Sequence, residues 1–294
     1  MPGGIKTVNA GGPASGGVSA DVPNVARIYD YFLGGTDNFE ADRAAAATIA
    51  QAAPEVVQRV RENRAFLGRA VGFVSARGIG QFLDIGTGLP TRDSVHQVAR
   101  RVVPAARVAY ADNDPAVVAH AQALLASDPD AIVIQADMRE PAAIMRRVTE
   151  QGFLDPARPV AILMLAVLHF IPDTARAQQI VASFREQMAP GSYLAITHAT
   201  AGTISPADLA HAVQTYATSS AGSITLRTQD QIEAFFDGLQ LQEPGVVPAA
   251  YWRPAPHAHQ PAQPDLPGPP SPKPPAAYGP TFLGGLARKT AIPR

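Results

Sequence analysis

The stretch Phe82-Leu-Asp-Ile-Gly-Thr-Gly-Leu-Pro-Thr91 constrains this chain more than any other. Apolar residues lead into Asp84, glycines alternate at Gly86 and Gly88, and a helix is predicted over 93–103. A glycine turn after a strand lets a ligand approach the backbone where a side chain would block it. A helix opening behind the turn would aim free N–H groups at that ligand. The carboxylate at the strand end favours hydroxyls, amines and cations over phosphate. Together these features predict the first nucleoside-binding turn of a doubly wound, mostly parallel α/β sheet.

The flanks agree with such a sheet. Residues 1–21 are rich in Gly, Ala and Ser and are expected to form a disordered tail. Residues 22–80 read as a helical cap: Val25, Ile28, Tyr29 and Phe32 fall at helical spacing, Gly34-Gly35 stops that helix, and further helices are expected over 40–52 and 55–77. A Rossmann-like core is expected over 81–294, where strands alternate with helices as far as a fifth strand and the pattern then loosens. Strands are expected over 82–85, 107–111, 131–135, 160–166 and 192–197. The run Val160 to Ala166 is continuously apolar, as a strand buried on both faces should be. A helix is expected over 205–218, a sixth strand within 239–251 and a last one within 278–289. Between these two strands lies a proline-rich loop at 254–277, where residues 254–275 hold ten prolines in 22 positions.

Composition narrows the function. A net charge of −1 offers no broad surface for nucleic acid or an anionic membrane. The absence of cysteine excludes disulfides, thiolate nucleophiles and cysteine-based zinc sites. His257 and His259 in the proline-rich loop lack further ligands, so no metal is expected. No run is apolar enough for a membrane span and residues 1–21 lack a signal peptide's apolar core, so a cytoplasmic protein is expected. The oligomeric state is left open.

Three predicted strands end in carboxylates: Asp84, Asp112 and Asp137. Asp112 lies 28 positions after Asp84, where a carboxylate can accept both ribose hydroxyls; Asp114 competes for that task, and either could be a plain turn residue. A dinucleotide cofactor fits less well, because its fingerprint wants a third glycine where Pro90 and Thr91 stand and no carboxylate beside a pyrophosphate. An acidic first strand suits a ligand that carries an ammonium and a sulfonium, as S-adenosylmethionine does.

The segments Asp-x-Gly-x-Gly, Tyr-Ala-Asp-Asn-Asp-Pro, Gln-Ala-Asp-Met and Leu-Ala-Val-Leu-His-Phe-Ile-Pro-Asp resemble those of class I S-adenosylmethionine-dependent methyltransferases. Tyr29-Asp-Tyr-Phe-Leu-Gly-Gly-Thr-Asp-Asn-Phe-Glu-Ala-Asp-Arg43, with the glycine turn, looks more narrowly like the actinobacterial S-adenosyl methyltransferase family once known only as a domain of unknown function. The resemblance implies a Rossmann-like fold and S-adenosyl-L-methionine as cofactor. It implies that Asp84, Gly86, Thr87 and Gly88 hold the methionine portion, Asp112 and Asn113 the ribose and adenine, and Asp137 and Met138 the adenine flanks. Ala166 would offer its carbonyl to the cofactor amine. The proline-rich loop departs from the pattern as a local insertion.

His169 and His198 follow the fourth and fifth strands, at the edge where ligands bind, so each is a candidate catalytic base or substrate anchor; the bland alternative is a hydrogen-bonded structural histidine. Tyr29, Tyr31 and Asn38 are candidates for a lid over cofactor and substrate with Gly34-Gly35 as hinge, or for a helix hairpin packed on the sheet. Arg64 could pair with the cofactor carboxylate or lie on the surface. The expected activity is methyl transfer to an O, N or C nucleophile of a small molecule, with an aromatic natural product favoured. A nicotinamide-dependent oxidoreductase and a non-catalytic cofactor-binding or interaction protein stand as alternatives.

Overall fold

Strands β1 (Gln81–Ile85), β2 (Arg107–Asp112), β3 (Ala131–Gln135), β4 (Ala161–Leu165) and β5 (Tyr193–Thr200) form the parallel part of one sheet in the order β3-β2-β1-β4-β5. The computed structural model describes residues 20–90, 93–200, 214, 224–254 and 281–291. The order reverses between β1 and β4. At such a switch point the following connections leave to opposite faces and open a crevice at the carboxyl edge.

Beyond β5 the sheet changes direction. The last strand, β8 (Thr281–Arg288), runs antiparallel to β5 and is itself flanked by β6 (Gln240–Leu241) and β7 (Val247–Pro248). The single strand expected within 239–251 is thus two short pieces. Gly245, at φ +91°, bends the chain between them. The last strand lies inside the predicted 278–289. Almost all of the helix expected over 205–218, of the predicted tail and of the proline-rich loop lies outside the described residues; residue 214 is helical.

Helices cover both faces. Three precede the sheet: α1 (Val25–Phe32), α2 (Glu40–Ala52) and α3 (Val56–Ser75). Asn24 caps α1, its Oδ1 accepting from the N–H groups of Ala26 at 2.9 Å and Arg27 at 3.2 Å. The 20-residue α3 buries Phe66, Leu67, Ala70, Val71 and Val74, one stripe at helical spacing. This stripe lies against Phe82, Val108, Leu163 and Leu286 of the sheet, so α3 serves as a layer of the sheet core. Ile28 and Phe32 of α1, Ala46 and Ile49 of α2 and Val60 of α3 make a separate small core, which reaches the sheet at Phe282. A buried ion pair joins the first two helices: Arg27 Nε donates to Asp42 Oδ2 at 2.7 Å.

The remaining helices follow their strands. They are α4 (Val95–Arg100), α5 (Pro115–Leu125), α6 (Pro141–Glu150), α7 (Thr174–Gln187) and the short α8 (Gln229–Glu233). Among the described residues, no helix is long and apolar enough to cross a membrane. One expectation needs correction. The helix after the glycine turn starts later than predicted and closes on itself: Gln97 Oε1 accepts the Ser94 N–H at 3.1 Å, and the Tyr110 hydroxyl accepts the His96 N–H at 3.1 Å. Its first donors are spent internally, so donors for a ligand come from the turn instead.

Candidate active site

A cavity of about 520 Å³ lies at the switch point. Its floor is the carboxyl edge of the sheet and its far wall is α1 and α3. Of the residues singled out from the sequence, Asp84, Gly86, Thr87, Gly88, Asp112, Asn113, Asp137, Met138, Ala166, His169, Tyr29 and Arg64 all line it. Thr91 lies outside the described residues.

The turn is built by backbone and carboxylate together. The Gly86 N–H donates to the Ala111 carbonyl at 2.8 Å, and the Gly88 N–H to Asp112 Oδ2 at 2.9 Å. Both glycines have positive φ, +68° and +62°. A Cβ on Gly86 would also come within 2.5 Å of Val167 Cγ2, so that position excludes every other residue twice over. Asp112 takes the Asp114 N–H on its other oxygen at 3.0 Å. Asp114 caps α5 through Ala116 N–H at 2.8 Å and also receives the Asn24 amide. The two candidates for the ribose thus differ: Asp112 is tied to the glycine turn, and Asp114 to the ends of α5 and α1.

Among the described carboxylates, Asp84 is the most strongly perturbed. Burial raises its pKa to about 6. The hydrogen bond from Thr87 Oγ1 at 3.1 Å and the charge of Arg64 work the other way, and Asp112 adds to the rise. A buried carboxylate of this kind gains from a cation placed beside it. Burial raises Asp112 as well. Asp137 is held by Arg139, whose Nε lies 2.9 Å from both its oxygens. Ala166 stands in the left-handed region at φ +56°, which costs energy for a residue with a Cβ. Its N–H is pinned by the Thr197 carbonyl at 3.1 Å and the Thr197 hydroxyl at 2.9 Å.

The opposite wall is apolar. Ile28, Phe32, Val56, Val60, Phe170 and Phe282 meet there. Of its polar groups, Asn24, Asp30 and Asn63 are buried, and Tyr29 and Arg64 are half-buried. Asn63 donates from Nδ2 to the Tyr29 hydroxyl at 2.8 Å, and that hydroxyl faces the Val60 carbonyl at 3.3 Å. His169 is 6% exposed, and burial, then the neighbouring His198 and Arg227, hold its pKa well below the ordinary imidazole range. Its Nδ1 is buried without a hydrogen-bond partner.

Three singled-out residues lie off the cavity. His198 is fully buried behind His169, ring centroids 5.6 Å apart, with Nδ1 on the Ala199 carbonyl at 2.8 Å and Nε2 on Arg227 at 2.8 Å. Burial lowers its pKa to about 4. Tyr31 is 41% exposed. Asn38 binds Asp30 Oδ2 and the Gly35 carbonyl, each at 3.0 Å, and so fastens the loop between α1 and α2.

Other lining residues escaped the sequence reading. Asn24 was given no role by the sequence; its side chain both caps α1 and reaches Asp114. Arg139 sits two residues from Asp137 with no spacing to mark it. Phe282 arrives from the far end of the chain, and no local signal could announce it.

The arrangement suits S-adenosylmethionine. A buried, raised carboxylate can receive an ammonium, a glycine turn lets a ligand reach the backbone, and carboxylates end the next two strands. The comparisons agree. The family model described as S-adenosyl methyltransferase matches residues 12–290. A candidate methyltransferase from Thermobifida fusca YX is 39% identical, with a TM-score of 0.79 over 92% of this chain and 96% of that one. A DUF574 family protein from Streptomyces avermitilis MA-4680 is 37% identical, with a TM-score of 0.78 over 92% of this chain and 98% of that one. No curated protein matches the chain significantly. With the class I methyltransferase sheet order, a cavity suited to the cofactor and a match over nearly its whole length, the chain belongs to the S-adenosyl methyltransferase family and is an S-adenosylmethionine-dependent methyltransferase.

Proposed function

We propose that the chain methylates an oxygen, nitrogen or carbon nucleophile of a small, largely apolar acceptor, with aromatic natural products as the favoured class. One observation carries this reading. A single cavity has strand-end carboxylates on one side and Ile28, Phe32, Val60, Phe170 and Phe282 on the other. The first side suits a cationic nucleoside, and the second suits a flat uncharged body. A macromolecular acceptor would need a charged groove, and the net charge of −1 offers none. We assign the protein to the cytoplasm on the same sequence grounds as above.

When bound, the cofactor supplies a methyl group on a positively charged sulfur. Asp84 would hold its ammonium, with the Gly86–Gly88 turn along the methionine portion and Arg64 near the carboxylate. Asp112 and Asn113 would take the ribose and adenine, Asp137 and Met138 the adenine flanks, and the Ala166 carbonyl the amine. The chain's own contribution is then orientation and exclusion of water. His169 is neutral near pH 7, so it can accept a hydrogen bond from an acceptor hydroxyl or amine. Its low basicity suits aligning a protic group better than removing its proton outright. We assign α1 and α2 the part of a lid, with Tyr29 as its inner surface and Gly34-Gly35 as the hinge; Tyr31 and Asn38 would act from its outer side and its loop.

The test is incubation with methyl-labelled S-adenosylmethionine and a panel of phenols, aryl amines and activated carbon acids, beside peptides and nucleic acid. Label in at least one small aromatic acceptor is expected. Label only in peptide or nucleic acid, or none despite S-adenosylhomocysteine binding, would overturn the proposal.

A further inference from the structure

Behind the cavity wall lies a buried cation that the cofactor and the acceptor do not touch. Arg227 is 2% exposed. Its Nη1 donates to the Leu168 carbonyl at 3.1 Å and to His198 Nε2 at 2.8 Å, its Nη2 to the Ile171 carbonyl at 2.7 Å, and its Nε to Thr174 Oγ1 at 3.2 Å. The guanidinium lies 5.7 Å from the Phe235 ring centroid, and the His198 ring stacks on the same phenyl at 6.0 Å. Two residues earlier, the Thr225 N–H donates to the His169 carbonyl at 2.8 Å. The 224–227 segment is therefore stitched to residues 168–174, which carry His169, Phe170 and Ile171 into the cavity.

We propose that Arg227 is a positioning residue: it clamps the 168–174 connection and obliges His198 to accept through Nε2, which holds the His169 ring in place at the cavity wall. An arginine has no acceptor and keeps its protons, so any group facing it must accept. The His198 proton therefore sits on Nδ1, where it is donated to the Ala199 carbonyl at 2.8 Å. In this state both nitrogens of His198 are committed, and it cannot take a proton from His169. Among the described residues, the other charged group felt at Arg227 is the Asp173 carboxylate, which caps α7. The cluster is thus a rigid support and does not relay protons. This inference rests on reading the cavity as the methyl-transfer site.

The test is a long-range ¹H–¹⁵N correlation spectrum of the full chain, which reports the protonated nitrogen of each histidine, followed from about pH 5 to about pH 8. In the unaltered chain His198 should carry its proton on Nδ1 alone and not titrate. In Arg227→Met the Nε2 donor is gone, while the Ala199 carbonyl still holds Nδ1–H: the His198 Nε2 signal should shift, and the His169 signals should move or broaden as the 168–174 connection loosens. S-adenosylhomocysteine affinity should change by less than about threefold, since Arg227 hydrogen-bonds to none of the residues assigned to the cofactor. Unmoved His169 signals in a folded Arg227→Met would overturn the proposal. Should that variant fail to fold, Arg227→Lys keeps the charge but cannot span the same acceptors. Split or broadened His169 signals are expected there, and unchanged ones would equally overturn it. Failure of the unaltered chain to bind S-adenosylhomocysteine would sink the functional reading alone, because the histidine spectra still decide the role of Arg227.

Discussion

The two sides of the cavity are built on different physics. On the sheet side, polar groups are brought out of water and left partly unsatisfied: Asp84 is raised to about 6 by burial. Asp112 spends its oxygens on the backbone of Gly88 and Asp114. On the helix side, the surface is mostly apolar; Tyr29 and Asn63 are paired with one another there, and Arg64 of α3 adds a charge felt at Asp84. The first side stores a preference for charge, and the second a preference for shape. A ligand with a cationic part and an acceptor with an apolar body would each find the matching half. The energetic difference can be tested by breaking one half at a time.

The largest effect should come from Asp84→Asn. Losing a charge-assisted contact of this kind costs about 3 kcal/mol, so S-adenosylhomocysteine affinity should fall about a hundredfold by calorimetry. The same change should leave the free protein at least as stable at neutral pH, because a neutral isostere replaces a buried, unpaired charge. A loss of both affinity and stability would mean that Asp84 is a structural residue.

A second, smaller effect separates charge from shape by pH. The Asp84 pKa is raised from its ordinary value of 3.8 to about 6. Protonated Asp84 therefore stabilises the free fold, fully below pH ~4, and this contribution of about 3 kcal/mol is lost as pH rises through about 6. A bound ammonium reverses the preference. S-adenosylhomocysteine affinity should thus be steady above pH ~6 and fall by up to about tenfold per unit below it. Asp84→Asn should abolish that slope. An unaltered slope in the variant would move the titration to another group.

The smallest effects belong to the helix side, where two tyrosines two positions apart face different surroundings. Tyr29→Phe removes the hydroxyl between Asn63 and Val60 and should cost about 1 kcal/mol in thermal or denaturant unfolding, with unchanged S-adenosylhomocysteine affinity. Tyr31→Ala, on an exposed surface, should stay within about 0.5 kcal/mol. The reverse order would place the working surface of the proposed lid on its outer side.

How far the sequence could be read follows the same division. The strand-end carboxylates and glycine turn were legible because each is a local device: an alternating Gly86 and Gly88 after an apolar run, and an Asp at a strand end, carry their signal within a few residues. The helical spacing of Val25, Ile28 and Phe32 and the stripe from Phe66 to Val74 were legible for the same reason. The helix after the turn was misjudged by two residues because Ser94 and Gln97 close it from within. The difference between Tyr29 and Tyr31 could not be read, since two residues apart on a helix face nearly opposite ways and only the position of α3 decides which way is inward.

By itself, then, the sequence determined the alternating α/β order, the parallel core and the cofactor edge, all of which depend on periodicity and on residues near in the chain. Only the tertiary structure decided the far wall and what stands behind it. Phe282 reaches the cavity because β8 inserts antiparallel beside β5, and His198 turns away from the cavity because Arg227, 29 positions later, claims its free nitrogen. Such contacts join segments that share no local pattern. Their partners are chosen by which surfaces remain to be covered once the sheet has formed, and a linear reading has no access to that choice.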